Sequence, residues 1–138
     1  MIAIDTNILI RFLFKPLDNN NPKWQIDAAE AVINKADKVF ISSIVIAEME
    51  WVLESVFECN RQEIHSVIYE LACNSKFQFD DWQALNNALL DYTEYNNVEL
   101  SDCLIARCAQ NAGAKTLFTF ENDKKLGALP VVTTLKKT

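Results

Sequence analysis

Asp5, Glu48, Asp102 and Glu121 are the residues of this chain whose types and placement could do chemistry. Asp5 closes the apolar run Ile2-Ala3-Ile4 and opens Asp5-Thr6-Asn7, where a buried strand should end and a helix begin. α/β proteins build ligand sites at the carboxyl ends of parallel strands. Glu121 directly follows a second apolar run, Thr116 to Phe120, and Asp123 stands two residues further on. Asp102 lies at the start of a helix leading into that run. A helix before a parallel strand runs antiparallel to it, so its N-terminus lies over the same edge, where free N–H groups favour an acid. A pocket that gathers this much negative charge needs a cation. Carboxylates alone suit a hard one, magnesium with few protein ligands or manganese on the same oxygen set. One or two such ions would bind a phosphate, lower the pKa of an attacking water and stabilise the leaving oxygen.

Glu48 joins the set through its surroundings on a helix expected from Ser43 to about Phe57. Its neighbours at helical spacing are Ile44, Val45, Trp51 and Val52, whereas Glu50 and Glu54 have each other and can share a solvated face. Glu48 is therefore expected to be walled in by apolar groups, where an unpaired carboxylate costs several kcal/mol or takes up a proton. No arginine or lysine lies within this helix, which leaves a metal, a metal-bound water or a distant base as its partner. In the resulting scheme Asp5 and Asp102 anchor the main ion, and Glu48 ligates it through water or orients the nucleophile. Glu121 or Asp123 helps to hold a second, weaker ion. Thr6, Asn7, Ser42 and Thr119 supply hydroxyl and amide groups that orient carboxylates and water. Each acid also has an ordinary role open to it: Asp5 and Asp102 as helix caps, Glu121 and Asp123 as surface loop acids. Those roles do not explain why all the positions fall on one edge.

The elements that must place these acids alternate short β-like runs with longer helical ones. Strands are expected at Met1 to Ile4, Val39 to Ser42, Thr116 to Phe120 and Val131 to Thr133. Helices are expected from Asn7 to about Phe14, from Pro22 to about Ala36, from Ser43, from Arg61 to Cys73 and from Asp80 to Tyr95. A last one is capped by Ser101 and ended by Gly113. Asp18-Asn19-Asn20-Asn21-Pro22 is turn chemistry. Strands separated by helices argue for an α/β protein with a mainly parallel sheet of four to five strands, covered on both faces.

At 138 residues, half of them apolar and only two of them glycine, the chain reads as a single domain spanning 1–138. A formal charge of −6 argues against broad adhesion to nucleic acid or anionic membranes. Bound cations can invert that field locally, and Arg11, Lys15, Lys124, Lys125, Lys136 and Lys137 could form a basic rim. No apolar run approaches the roughly 20 residues needed to cross a bilayer. With no basic leader either, cytoplasmic residence and no membrane partner are expected. Cys59, Cys73, Cys103 and Cys108 form no C-x-x-C pair, so reduced, buried thiols are expected rather than zinc ligands. His65, the one histidine, is expected to be structural or at the surface.

Four segments in order resemble the PIN domain family, particularly the VapC-type toxins of toxin–antitoxin pairs. They are Ile2 to Leu13, Phe40 to Leu53, Ser101 to Ala106, and Thr119 to Asp123 followed by Leu126 and Leu129-Pro130. The resemblance implies an α/β/α sandwich and a metal-dependent ribonuclease with Asp5, Glu48 and Asp102 as principal acids. Glu121 stands where the family usually has aspartate. Either the longer side chain reaches the metal or Asp123 takes its place. Glu99 would be an outer acid that holds waters or the pocket's shape. RNA as substrate, Mg2+ (or Mn2+) as cofactor, a homodimer and a blocking antitoxin are likewise implied by resemblance. Two rivals stand beside this reading. One is a phosphatase with Asp5 as nucleophile and Ser42 or Ser43 binding phosphate, although Asn7 stands where that chemistry wants a second acid. The other is a non-catalytic PIN-like binding or scaffold protein.

Overall fold

The apolar run at the N-terminus forms β1 (Ile2–Ala3), the first of three parallel strands with β2 (Val39–Ile41) and β3 (Phe77–Phe79). The computed structural model describes residues 1–15 and 22–138, so the turn signal at Asp18-Asn19-Asn20-Asn21 lies outside the described residues. β2 is central, with Ile2 facing Val39 on one side and Phe77 facing Val39 on the other. Val39 and Ile41 are fully buried, as a strand covered on both faces requires. A second parallel pair, β4 (Leu117–Thr119) with β5 (Val132–Thr134), brings Leu117 opposite Val132.

Parallel neighbours need long crossovers, and helices supply them. α1 (Thr6–Phe14) and α2 (Lys23–Lys35) join β1 to β2. α3 (Ser43–Ser55) and α4 (Arg61–Cys73) join β2 to β3, and α5 (Trp82–Glu94) and α6 (Leu100–Asn111) lead to β4. The expected α/β architecture with parallel strands is therefore present. β3 is not among the expected strands. It is three residues long, with exposed Gln78 between Phe77 and Phe79, too short for alternation to stand out; its pairing with β2 makes it a strand.

Helix starts follow local chemistry in most places. Asp5 caps α1 by accepting from Ile8 N–H, Ser42 caps α3 through Val45 N–H, and Asn60 with Glu63 forms a capping box on α4. The start of α6 differs from expectation. The helix begins at Leu100, and Ser101 lies inside its first turn rather than capping it. Its end is as expected, with Gly113 at φ +100° just beyond it.

The core gathers one stripe from each helix, with Leu9, Ile33, Met49, Leu53, Ile68 and Leu85 fully or almost fully buried. Each such side chain contributes roughly 1.5–3 kcal/mol by leaving water. α5 packs along α6, and the pair is tied by Arg107, whose Nε and Nη2 donate to the two carboxylate oxygens of Asp91 at 2.7 and 2.9 Å. Arg61, at the start of α4, fixes the turn between them. It donates to the carbonyls of Val98, Tyr92 and Tyr95 at 2.8, 2.6 and 3.1 Å, and its guanidinium lies 3.7 Å from the centre of the Tyr92 ring. Burial pushes the Tyr92 hydroxyl up to about 12. Cys103 is buried, Cys59 and Cys108 partly so, and all four cysteines are free. Cys73 is exposed, contrary to the expectation of buried thiols, because it falls at the last position of α4 beyond the buried Leu71 and Ala72. His65 stacks on Tyr69, in keeping with a structural role. Among the described residues no helix is long and apolar enough to cross a membrane.

Candidate active site

Asp5 leaves β1 and its carboxylate turns back to cap α1, with Oδ1 accepting from Ile8 N–H at 3.1 Å. That uses one lone pair; the side chain is otherwise exposed, beside a groove lined by Asn7, Ile8, Arg11, Trp24 and Gln25. Arg11 Nη1 donates to the Asn7 carbonyl at 3.2 Å, while its buried Nε has no partner among the described residues. Thr6 is buried and donates its hydroxyl to Glu48 Oε2 at 3.1 Å. α1 and α3 thus meet through a hydroxyl–carboxylate bond one residue from Asp5.

Glu48 is not walled in. Ile44 and Trp51, expected to enclose it, are 72% and 66% exposed, and Glu48 itself is exposed. The buried acid of α3 is Glu50, at 4% exposure. Helical spacing accounts for the exchange. Ile46, Met49 and Leu53 form the stripe turned to the core, and Glu50 stands at i+4, i+1 and i−3 from them. The apolar neighbours of Glu48 instead belong partly to the outer face. Glu50, expected on a solvated face, is buried instead, and its place along the Ile46-Met49-Leu53 stripe is the sequence signal for it.

The Glu50 carboxylate spans to α6. Oε2 accepts from Leu100 N–H at 2.6 Å and Oε1 from Ser101 N–H at 2.8 Å. Asp102 follows in the same first turn, half-buried. Burial, then the charges of Glu121 and Glu50, push its carboxyl above the ordinary value, while Lys125 opposes them. Glu99, at the N-cap, is raised by burial and by Glu50, Asp102 and Glu54, again against Lys125. Cys103, beside Asp102 in sequence, is pushed up to about 12, chiefly by burial, and remains a neutral thiol.

Glu121 leaves β4 and its Oε2 accepts from Leu126 N–H at 3.3 Å. The turn carrying it is held at its backbone: Glu121 N–H donates to the Thr119 hydroxyl at 3.1 Å, and the Thr134 hydroxyl donates to the Glu121 carbonyl at 2.7 Å. Gly127 lies against this turn. A Cβ there would fall 2.6 Å from the Glu121 carbonyl and 2.5 Å from that of Asn122. Asp123 is exposed. Of the supporting residues, Thr6 contacts a site carboxylate, Thr119 holds the backbone of Glu121, Ser42 is used as a helix cap, and Asn7 borders the groove.

The acids therefore stand in two groups, Asp5 with Glu48 by way of Thr6, and Asp102 with Glu121, Glu99 and the buried Glu50. Among the described residues no three His, Cys, Asp or Glu side chains are close enough to share one ion. The donor set fits a hard cation all the same. It is all oxygen, and Asp102, raised first by burial and then by the charges of Glu121 and Glu50, is a carboxyl whose ionised form a cation would favour. Magnesium, which keeps several waters and takes one or two carboxylates, suits an all-oxygen donor set of this kind; no cage of three or more such side chains forms among the described residues.

A three-stranded parallel sheet with helical crossovers, and acids at the starts of α1 and α6, mark this as an α/β protein. The chain belongs to the PIN domain family, whose model matches residues 2–129. It is similar to a VapC ribonuclease of Aquifex aeolicus (strain VF5), with 27% identity over 128 residues, covering 92% of this chain and 93% of the relative.

Proposed function

We propose that this protein is a metal-dependent endoribonuclease of the VapC type, hydrolysing RNA phosphodiester bonds at the acidic pole and acting as the toxin of a toxin–antitoxin pair. The observation that carries this reading is the two-group acidic pole in a chain matched to the PIN family over residues 2–129. The likeness to a VapC ribonuclease along nearly the whole of both chains supports the choice of RNA.

Asp5 and Asp102 are the residues that would hold Mg2+, or Mn2+ in its place. When bound, the ion supplies Lewis acidity at the phosphate and lowers the pKa of the attacking water. Glu48, held by the Thr6 hydroxyl and open to solvent, would orient an attacking water. Glu121 keeps the field at Asp102 strongly negative and is the better candidate than Asp123 for the fourth acid, because its charge is felt at Asp102. Glu99 adds to the same field from the edge of the pole. Lys125, which opposes Glu99 and Asp102, balances part of this charge and faces an incoming phosphate. Exposed Trp24, Ile44 and Trp51 are apolar surface of the kind that a partner covers, consistent with a homodimer and an antitoxin.

The test is cleavage of cellular RNA by purified protein with Mn2+, with chelator, and with Asp5→Asn. Cleavage that needs the ion and disappears in the variant supports the proposal. Metal-independent cleavage, or a phosphorylated Asp5 trapped during turnover, would sink it.

A further inference from the structure

The geometry points to Glu50 as a positioning residue: its buried carboxylate holds the first turn of α6 and so fixes where Asp102 stands relative to the acids of α1 and α3. The inference rests on the reading of Asp102 as a site acid.

α6 has no cap of its own. Glu99 occupies the N-cap without a side-chain bond to the helix, so the first N–H groups must find an acceptor elsewhere. Glu50, fifty residues away in sequence, accepts from two of them with one oxygen each, at 2.6 and 2.8 Å. Both distances are those of charge-assisted bonds, and the pair of contacts fixes direction as well as distance. The ion pairs found among the described residues are Lys15 with Glu30 and Arg107 with Asp91. Neither involves Glu50, so its charge is held by the two N–H groups and the positive end of α6.

α3 makes this more than a local cap. Residues two apart on a helix point about 200° from each other. Glu48 therefore reaches α1 through Thr6 while Glu50 reaches α6 on the other side. One rigid helix carries both contacts, and each lies within two residues of a proposed metal-holding aspartate: Thr6 beside Asp5, and Leu100 and Ser101 before Asp102. The spacing between the two acidic groups is set across α3. Glutamine at position 50 offers one oxygen for two N–H groups and turns an NH2 toward the other. Alanine offers none.

The experiment compares the native full chain, Glu50→Gln and Glu50→Ala by amide NMR with hydrogen exchange, and by Mn2+-supported RNA cleavage well below each protein's melting temperature. In the native protein, Leu100 and Ser101 amides should be shifted downfield and exchange slowly, and Glu50→Gln should lose this at one of them. In the same variant kcat should fall about 10- to 100-fold, the scale of a misplaced reacting group, with KM for RNA within about twofold. A purely structural loss would instead scale with the unfolded fraction. Native kcat in Glu50→Gln overturns the inference. So does fast native exchange at Leu100 and Ser101, a measurement that decides the matter even where both variants fail to fold. If Asp102→Asn cleaves as well as native protein, the site reading falls and the positioning role with it. The amide signature separates that failure from an absent clamp.

Discussion

The two groups of acids solve different electrostatic problems. On the α1 side, Asp5 and Glu48 are exposed, and each already accepts a hydrogen bond, from Ile8 N–H and from the Thr6 hydroxyl. On the α6 side, burial first and then neighbouring charges, Glu50 and Asp102 at Glu99, and Glu121 and Glu50 at Asp102, make Asp102 and Glu99 hold their protons more tightly. The first group is set up to orient; the second stores unfavourable charge that a cation would relieve. In the proposed site the two groups would work together, and α3, which packs against both α1 and α6, lies between them.

Removing charge from the crowded side should separate function from stability most sharply. Asp102→Asn is expected to lower single-turnover RNA cleavage by about 100- to 1,000-fold, the scale of deleting one preorganised electrostatic group. The same variant should melt higher than native protein in cation-free buffer at neutral pH. Retained cleavage would erase the distinction between the two groups. Away from the pole, Arg107→Met should cost about 3 kcal/mol in urea unfolding, because it leaves the buried Asp91 carboxylate unpaired. An equal loss of cleavage per folded molecule would show that the α5–α6 tie also sets the site.

The pH response is the next largest effect. Folding raises the carboxyls of Asp102 and Glu99, so the folded chain keeps these protons to higher pH than the unfolded one. Their contribution to stability is full below the ordinary carboxyl pKa, falls as pH rises through the raised values, and is level above them. Denaturant unfolding from pH 4 to 7 without divalent ions should show this fall, smaller in Asp102→Asn. Added Mn2+ should offset it at the upper end. The smallest effect distinguishes the candidates for the fourth acid. Glu121→Gln should weaken Mn2+ binding several-fold by calorimetry, since one nearby charge shifts affinity by about 1 kcal/mol. Asp123→Asn should stay within about twofold, and the reverse order would exchange their roles.

Much of the frame is legible in the sequence because its causes are local. The strand–helix alternation, the start of α4 at Arg61 after Asn60, and the end of α6 before Gly113 follow from periodicity and capping residues within a few positions. The placement of Asp5 at the end of β1 is equally local. What is not legible depends on partners far along the chain. β3 becomes a strand through Val39, and α6 starts where Glu50 holds it. Glu50 is buried and Glu48 exposed, the reverse of expectation, for a related reason. A helix has neighbours on every side, and which apolar stripe faces inward is decided by α6 and the sheet. Ile44 and Trp51 looked like walls because their type favours burial, yet they lie on the outer side.

Gly127 has a consequence for how this chain can vary. The acid it supports has some freedom: beside the one side-chain bond to Leu126 N–H, the turn is tied at the backbone of Glu121 by the Thr119 and Thr134 hydroxyls. Position 127 has no such latitude, because even a methyl group would meet two carbonyl oxygens and the Thr134 hydroxyl at about van der Waals overlap. The backbone of the loop is thus the tighter constraint, set by the oxygens crowded around Gly127 rather than by the acid it carries.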